Sequence, residues 1–147
     1  DGNSMSTFLG QLVGFGVIQL VPYGHDHDNP PTVQEPDWDS DRTRQLALGA
    51  CFDCHSNLTS WPWYTSVAPF SWLVQNDVEE GRSVLNFSEW QRPQEVDVRE
   101  VVDVLREGEM PPLQYRLLHE QARLSDQEKD ELALGLSRTW DRSPPGS

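Results

Sequence analysis

The chain has only two cysteines, Cys51 and Cys54, and His55 follows directly after the second. C-x-x-C-H is the attachment sequence for c-type haem. The reason is local. Two thiols one helical turn apart can both reach the vinyl groups on one edge of a porphyrin, and the next histidine can present an imidazole nitrogen to the iron. Competing readings have less behind them. A thioredoxin-like C-x-x-C needs a strand–helix–strand setting, which the residues around Cys51 do not offer. A zinc site needs four ligands, and there is no second cysteine pair. A disulfide between Cys51 and Cys54 would close a very small loop and would leave His55 unexplained.

A covalent cofactor also suits the composition. The 147 residues are 36% apolar, with 10 glycines and 11 prolines. Globular domains usually hold roughly 45–50% apolar residues. One domain with a terminal extension fits this length. A tethered haem supplies core that the side chains lack. The balance of 24 acidic against 11 basic side chains gives a formal charge of −13. That field repels phosphate backbones and excludes nucleic acid as a partner. It favours basic redox partner proteins or simple solubility. Haem c is attached outside the cytoplasm in bacteria, so an exported domain on the periplasmic side of a membrane is expected.

Residues 5–23 (MSTFLGQLVGFGVIQLVPY) carry no charge. A spanning helix wants roughly 17–25 apolar residues. Gln11 and Gln19 weaken the run, but no basic flank or small-residue cleavage site marks a signal peptide. The expectation is a single N-terminal membrane-anchor helix. Its Gly10 and Gly14 form a G-x-x-x-G that would admit a second helix. Residues 24–38 (GHDHDNPPTVQEPDW) read as an extended linker. Its His25 and His27 alternate with Asp26 and Asp28, a pattern that either binds a divalent metal or simply stays solvated.

The haem domain is expected over 39–141, with 142–147 as a disordered tail. A helix should start at Asp39 or Ser40 and run into Cys51–His55. A second fits near 68–84, where Phe70, Leu73, Val74 and Val78 share a face. A third fits near 94–107 on Val98, Val101, Val102 and Leu105, ended by Gly108, with a short strand as the competing reading. The stretch 109–119 begins as a proline-stiffened turn. Ser125 with Glu128 forms a capping box for a last helix, lined by Leu132, Leu136 and Trp140. The fold class is therefore all-α.

In this order of elements, residues 40–140 resemble a class I, mono-haem c-type cytochrome. A closer likeness covers about 20–140. The runs CFDCHSN, WPWY, APFSWLV, EGR, LNFSEW, GEMPP and H-x-x-x-x-LS-x-x-E resemble the small bacterial haem-binding domain family. The resemblance implies one covalent haem c on Cys51 and Cys54, with iron held by His55 and by a methionine from a late loop. Here that methionine is Met110 in GEMPP. The WPWY loop and the long 68–92 stretch depart from standard class I cytochromes.

Met5 lies in the presumed anchor and is set aside, so the alternative second ligand is His119, which would give bis-histidine iron. Trp63 and Tyr64 are candidate haem-wall residues, and Arg82, Arg92 and Arg116 could pair with haem carboxylates. The chain has no catalytic triad, general base or phosphate loop. It reads as an electron-transfer protein and not an enzyme: a membrane-tethered cytochrome passing electrons between partners. Two alternatives stay open. One is a ligand sensor or peroxidase-like enzyme with an open distal site. The other is a structural haem subunit of a larger membrane complex.

Overall fold

The computed structural model describes residues 2–147. Among these described residues seven α-helices form in chain order: α1 (Gly2–Ile18), α2 (Asp41–Ala50), α3 (Phe52–His55), α4 (Phe70–Val84), α5 (Val98–Glu107), α6 (Leu113–Leu118) and α7 (Asp126–Arg142). Short 3-10 turns occupy Trp63–Ser66 and Glu120–Ala122. Among the described residues there is no β-strand, only an isolated parallel bridge between Gln34 and Glu89. The chain is all-helical, as its periodicity implies.

Residues group into two compact units. One holds the chain up to Asp28 together with Trp61–Asp77; the other holds Asn29–Ser60 and Val78–Ser147. In the first unit, α1 leaves Phe8, Leu9, Leu12, Val13 and Val17 exposed. The helix stops at Ile18, short of the expected 5–23 run. The physical reason is Pro22, which has no N–H to continue the ladder, so the last turn tightens to bonds from the Leu20 and Val21 N–H groups to the Val17 and Ile18 carbonyls. Gln19 at this end turns its amide to polar work. Its Nε2 donates to the Ala68 carbonyl at 3.1 Å, and its Oε1 accepts from the Ala68 N–H at 2.9 Å. No helix among the described residues is long and apolar enough to cross a membrane, so the anchor expected over 5–23 is not formed as a span. His27 stacks on Trp61 with ring centroids 4.5 Å apart, and its Nε2 bonds the Thr65 carbonyl at 3.0 Å.

The second unit is organised by its helix ends. Ser40 accepts from the Thr43 N–H to start α2, and Asp97 accepts from the Arg99 and Glu100 N–H groups to start α5. Ser125 and Glu128 complete the capping box of α7. Each such cap contributes about 1 kcal/mol. Gly108, at φ 77°, closes α5. With Asp97 as cap, α5 begins at Val98 and its valines lie on a helix, not a strand. Helix α7 packs on α2 and α5. Gly135 makes the crossing with α2 close, because a Cβ there would collide with the Thr43 side chain. The core joins Leu46 and Ala47 of α2, Val102 and Leu105 of α5, and Leu132, Ala133 and Leu136 of α7 to Phe52, Leu85, Phe87 and Trp90. Full burial of a large apolar side chain is worth about 1.5–3 kcal/mol.

Two segments read from composition as linker and tail are ordered by pairing. Beyond Asp28, the backbone of the 24–38 stretch is extended and bonded: Val33 and Gln34 donate to the Ser88 carbonyl, and Trp90 donates to that of Gln34 at 2.9 Å. Trp38 packs on Phe52 and Phe87. The tail over 142–147 also makes pairs. Trp90 Nε1 donates to the Ser143 carbonyl at 2.7 Å, and the Gly146 N–H donates to the Trp90 carbonyl at 2.9 Å. Proline-rich segments cannot continue a helix, but their remaining N–H and C=O groups can still pair with a loop.

Candidate functional site

Helix α2 delivers the cysteine motif. The Cys51 N–H closes the last turn on the Ala47 carbonyl at 2.8 Å, and Cys51 then leaves helical geometry at φ −121°. The single turn α3 follows, with the N–H groups of Cys54 and His55 both donating to the Cys51 carbonyl at 3.2 and 2.8 Å. This turn gathers both cysteines and His55 within one loop of backbone. Neither cysteine is in a disulfide. Burial, with the neighbouring Cys54, pushes the Cys51 thiol up to about 12, so it is protonated at neutral pH.

His55 is oriented by α4. Its Nδ1 lies 3.0 Å from the Gly81 carbonyl and 3.2 Å from the Leu85 carbonyl. Carbonyls only accept, so Nδ1 carries the proton and Nε2 keeps its lone pair. That is the tautomer a metal-ligating imidazole needs, with the second-shell acceptors that fix its ring. Burial lowers the His55 pKa, and the two carbonyls partly offset that. Burial is the larger effect, so the net shift is downward from 6.5 and favours the neutral, ligand-ready ring at neutral pH.

Gly81 is what allows α4 this close. A Cβ at position 81 would collide with the Cys54 carbonyl. The next residue, Arg82, donates from Nε to the Ser56 carbonyl at 2.8 Å and from Nη2 to Thr59 Oγ1 and Asn29 Oδ1. Behind the motif, Asn86 Nδ2 donates to Asn57 Oδ1 at 2.9 Å, Asn57 N–H donates to Ser88 Oγ, and Phe87 N–H donates to the His55 carbonyl. Ser56, Asn57, Asn86 and Ser88 are all buried. Satisfied buried polar networks of this kind rigidify what they surround. Sequence reasoning missed Gly81, Asn57, Asn86 and Ser88 as site residues. The only signal available was their presence in the CFDCHSN, EGR and LNFSEW runs.

The remaining predicted residues are placed differently. Met110 sits on the loop between α5 and α6, is 43% exposed, and its N–H donates to the Val104 carbonyl at 3.1 Å. It lines a cleft of about 240 Å³ with Pro111, Leu113, Arg116, Leu117 and others, a lining that does not include the cysteines or His55. His119 follows α6. Its Nδ1 bonds the Tyr115 carbonyl at 3.0 Å, and its ring stacks on that of Tyr115, centroids 3.9 Å apart. Tyr115, which sequence reasoning did not single out, donates its hydroxyl to Asp53 Oδ2 at 2.5 Å. Asp53 stands between the two cysteines. Burial, then the Asp53 bond, pushes the Tyr115 hydroxyl pKa strongly upward.

Trp63 and Tyr64 belong to the first unit, where they meet edge to face, and Trp63 is 80% exposed. Arg92 pairs with Glu89 and donates to the Arg82 carbonyl, while Arg116 reaches the Gly108 carbonyl. Among the described residues no group of three or more His, Cys, Asp or Glu side chains could hold a metal ion, so His25, Asp26, His27 and Asp28 do not form the divalent site weighed for them.

The donor set at the motif fits a haem: two cysteines on one turn and an imidazole with Nδ1 engaged and Nε2 available. Comparison with known proteins agrees. The model of a family described as "Haem-binding domain" matches residues 13–138. No curated protein and no solved structure matches this chain.

Proposed function

The chain belongs to the haem-binding domain family, and on that premise we propose that it is a one-haem c-type electron carrier working outside the cytoplasm. The observation that carries this reading is the His55 ring, held by the Gly81 and Leu85 carbonyls beside two cysteines on the same turn. In the proposal, Cys51 and Cys54 bind one haem as thioethers, His55 Nε2 is the first iron ligand and Met110 the second, with His119 as the alternative. Haem supplies the one-electron couple. The protein holds and orients it and sets its potential. Met/His ligation favours a higher potential than bis-histidine, which suits a carrier and not an enzyme. The exposed apolar side chains of α1 support attachment to the periplasmic face of a membrane through that helix. The charge of −13 supports basic redox partners.

The test is direct. Acid–acetone extraction should leave haem on the protein, and the intact mass should include one haem. The oxidised spectrum should show the weak red-edge band of methionine–iron ligation. Haem lost on extraction defeats the proposal.

One observation favours a second reading. Met110 is half exposed on a loop, and such a ligand can give way to an exogenous one. Carbon monoxide binding to the untreated reduced protein would favour a ligand-binding role over simple electron transfer.

A further inference from the structure

Helix α6 follows Met110 after Pro111 and Pro112, and none of its six residues is buried. Leu113, Leu117 and Leu118 are each about 60% or more exposed. Packing therefore does little to hold this helix. Hydrogen bonds hold it instead. Arg123 donates to the carbonyls of Arg116 and Leu117, which fastens the end of α6 to the following turn. The Tyr115 hydroxyl reaches across 62 residues of sequence to the cysteine turn, donating to Asp53 at 2.5 Å. A hydroxyl on a carboxylate at that distance is among the stronger neutral–charged hydrogen bonds. Asp53 is itself fixed, since its other oxygen accepts from the Ser60 N–H at 2.8 Å and its carbonyl accepts from the Thr59 hydroxyl at 2.8 Å. Two consecutive prolines with locked φ link Met110 to α6, which narrows the range of positions the one can take relative to the other.

We propose that Tyr115 is the positioning residue that holds the segment from Met110 to His119 against the cysteine turn, and so keeps the sixth iron position closed by protein. The inference rests on the proposed haem site and goes beyond it. Both candidate sixth ligands lie on this one segment, Met110 five residues before Tyr115 and His119 four after, stacked on its ring. Whichever of them binds, the Tyr115–Asp53 bond sets how firmly it stays. Without the bond, an exposed short helix is left with ties only to its own neighbourhood, and small external ligands compete at the iron.

The test uses the full-length, haem-loaded protein. Tyr115→Phe keeps the ring that stacks on His119 and removes only the hydroxyl. The covalent haem should remain by intact mass. Imidazole should bind the oxidised protein about tenfold more tightly, the usual scale of a lost charge-assisted hydrogen bond. The red-edge band should weaken and the potential should shift. Asp53→Asn approaches the same bond from the other side and should move these readings in the same direction. The double variant should go no further than Tyr115→Phe. The inference is overturned if Tyr115→Phe keeps the wild-type spectrum and imidazole affinity, even if its melting temperature drops. It is equally overturned if the two variants add, or if the wild-type protein already binds imidazole as readily as Tyr115→Phe does. A wild-type protein without covalent haem by mass would instead defeat the underlying haem assignment, and that result is distinct from the others.

Discussion

His55 and Met110 are held in contrasting ways. His55 sits in a half-buried turn, its ring bonded to two carbonyls and its own carbonyl bonded to Phe87. Met110 sits half exposed at the lip of a cleft, fixed by its backbone and not by its side chain. One is a fixed fitting and the other an adjustable one. The contrast teaches that the protein commits its buried polar groups to the His55 side of the proposed haem site. On that proposal the second ligand, carried by a loop and a short surface helix, can vary with little cost to the fold.

The largest effect should come from His55. His55→Ala removes the proposed ligand and leaves the buried Leu85 carbonyl without its imidazole donor, while the Gly81 carbonyl keeps the Leu85 N–H at 3.0 Å; one lost donor costs about 1–3 kcal/mol in the protein alone. Recovery of haem-loaded protein should fall severely, as judged by the ratio of haem to protein absorbance. Recovery equal to the wild type would break the comparison at its root. Next, Gly81→Ala puts a Cβ against the Cys54 carbonyl. Overpacking of this kind costs about 1–3 kcal/mol, to be read by denaturant unfolding, and it should also disturb the His55 contacts. Unfolding at the wild-type midpoint would mean α4 has room that the structure denies it.

Met110→Ala sharpens the contrast from the other side. Because the side chain is half exposed, stability should change by less than about 1 kcal/mol. The potential should fall and carbon monoxide or cyanide should gain access. A large loss of stability would make Met110 a core residue and not an adjustable ligand. If His119→Ala alters the spectrum and Met110→Ala does not, the ligands must be reassigned.

The smallest effect concerns the α2 side of the motif. Arg44 donates to both oxygens of Glu35, at 2.7 and 2.8 Å, and that bond holds the Glu35 carboxyl below its ordinary value of 4.5. A lowered folded-state pKa gives stability that is present above pH 4.5 and is lost as pH falls through the folded value. Both groups are partly exposed, so the contribution is about 0.5–1 kcal/mol. Glu35→Gln should flatten the acid limb of a stability–pH curve by that amount and leave neutral-pH haem spectra unchanged.

Much of this was legible in the residues. Ser40, Asp97, Ser125 and Gly108 mark helix ends because capping is a local event, settled within four residues. The cysteine motif is readable for the same reason. What escaped the sequence depends on partners far along the chain. Nothing near Gly81 says that the Cys54 carbonyl lies against it. Nothing in CFDCHSN says that Asn57 will meet Asn86. The proline-rich residues 29–38 and the tail after Arg142 read as loose because their composition excludes helix, yet their backbone finds Ser88 and Trp90. In α1 the apolar content and the stop at Pro22 were visible, but the bonds of the Gln19 amide to Ala68 were not, because Ala68 lies 49 residues further along the chain.

The rings of the second unit form an unbroken series. Phe52, lying within the cysteine motif, stacks on Phe87 at 5.6 Å, Phe87 stacks on Trp90 at 5.7 Å, and Trp90 meets Trp140 edge to face at 4.6 Å, with Trp38 alongside. Three of the six tryptophans thus belong to one array that begins between Cys51 and Cys54. A haem on those cysteines absorbs where indole emits, so the array makes the molecule its own gauge of loading. Tryptophan fluorescence should be dark in the holoprotein and bright in the Cys51→Ser/Cys54→Ser variant. If the haem is covalently held as proposed, unfolding of the holoprotein should restore it only as far as the rings draw away from the tethered cofactor.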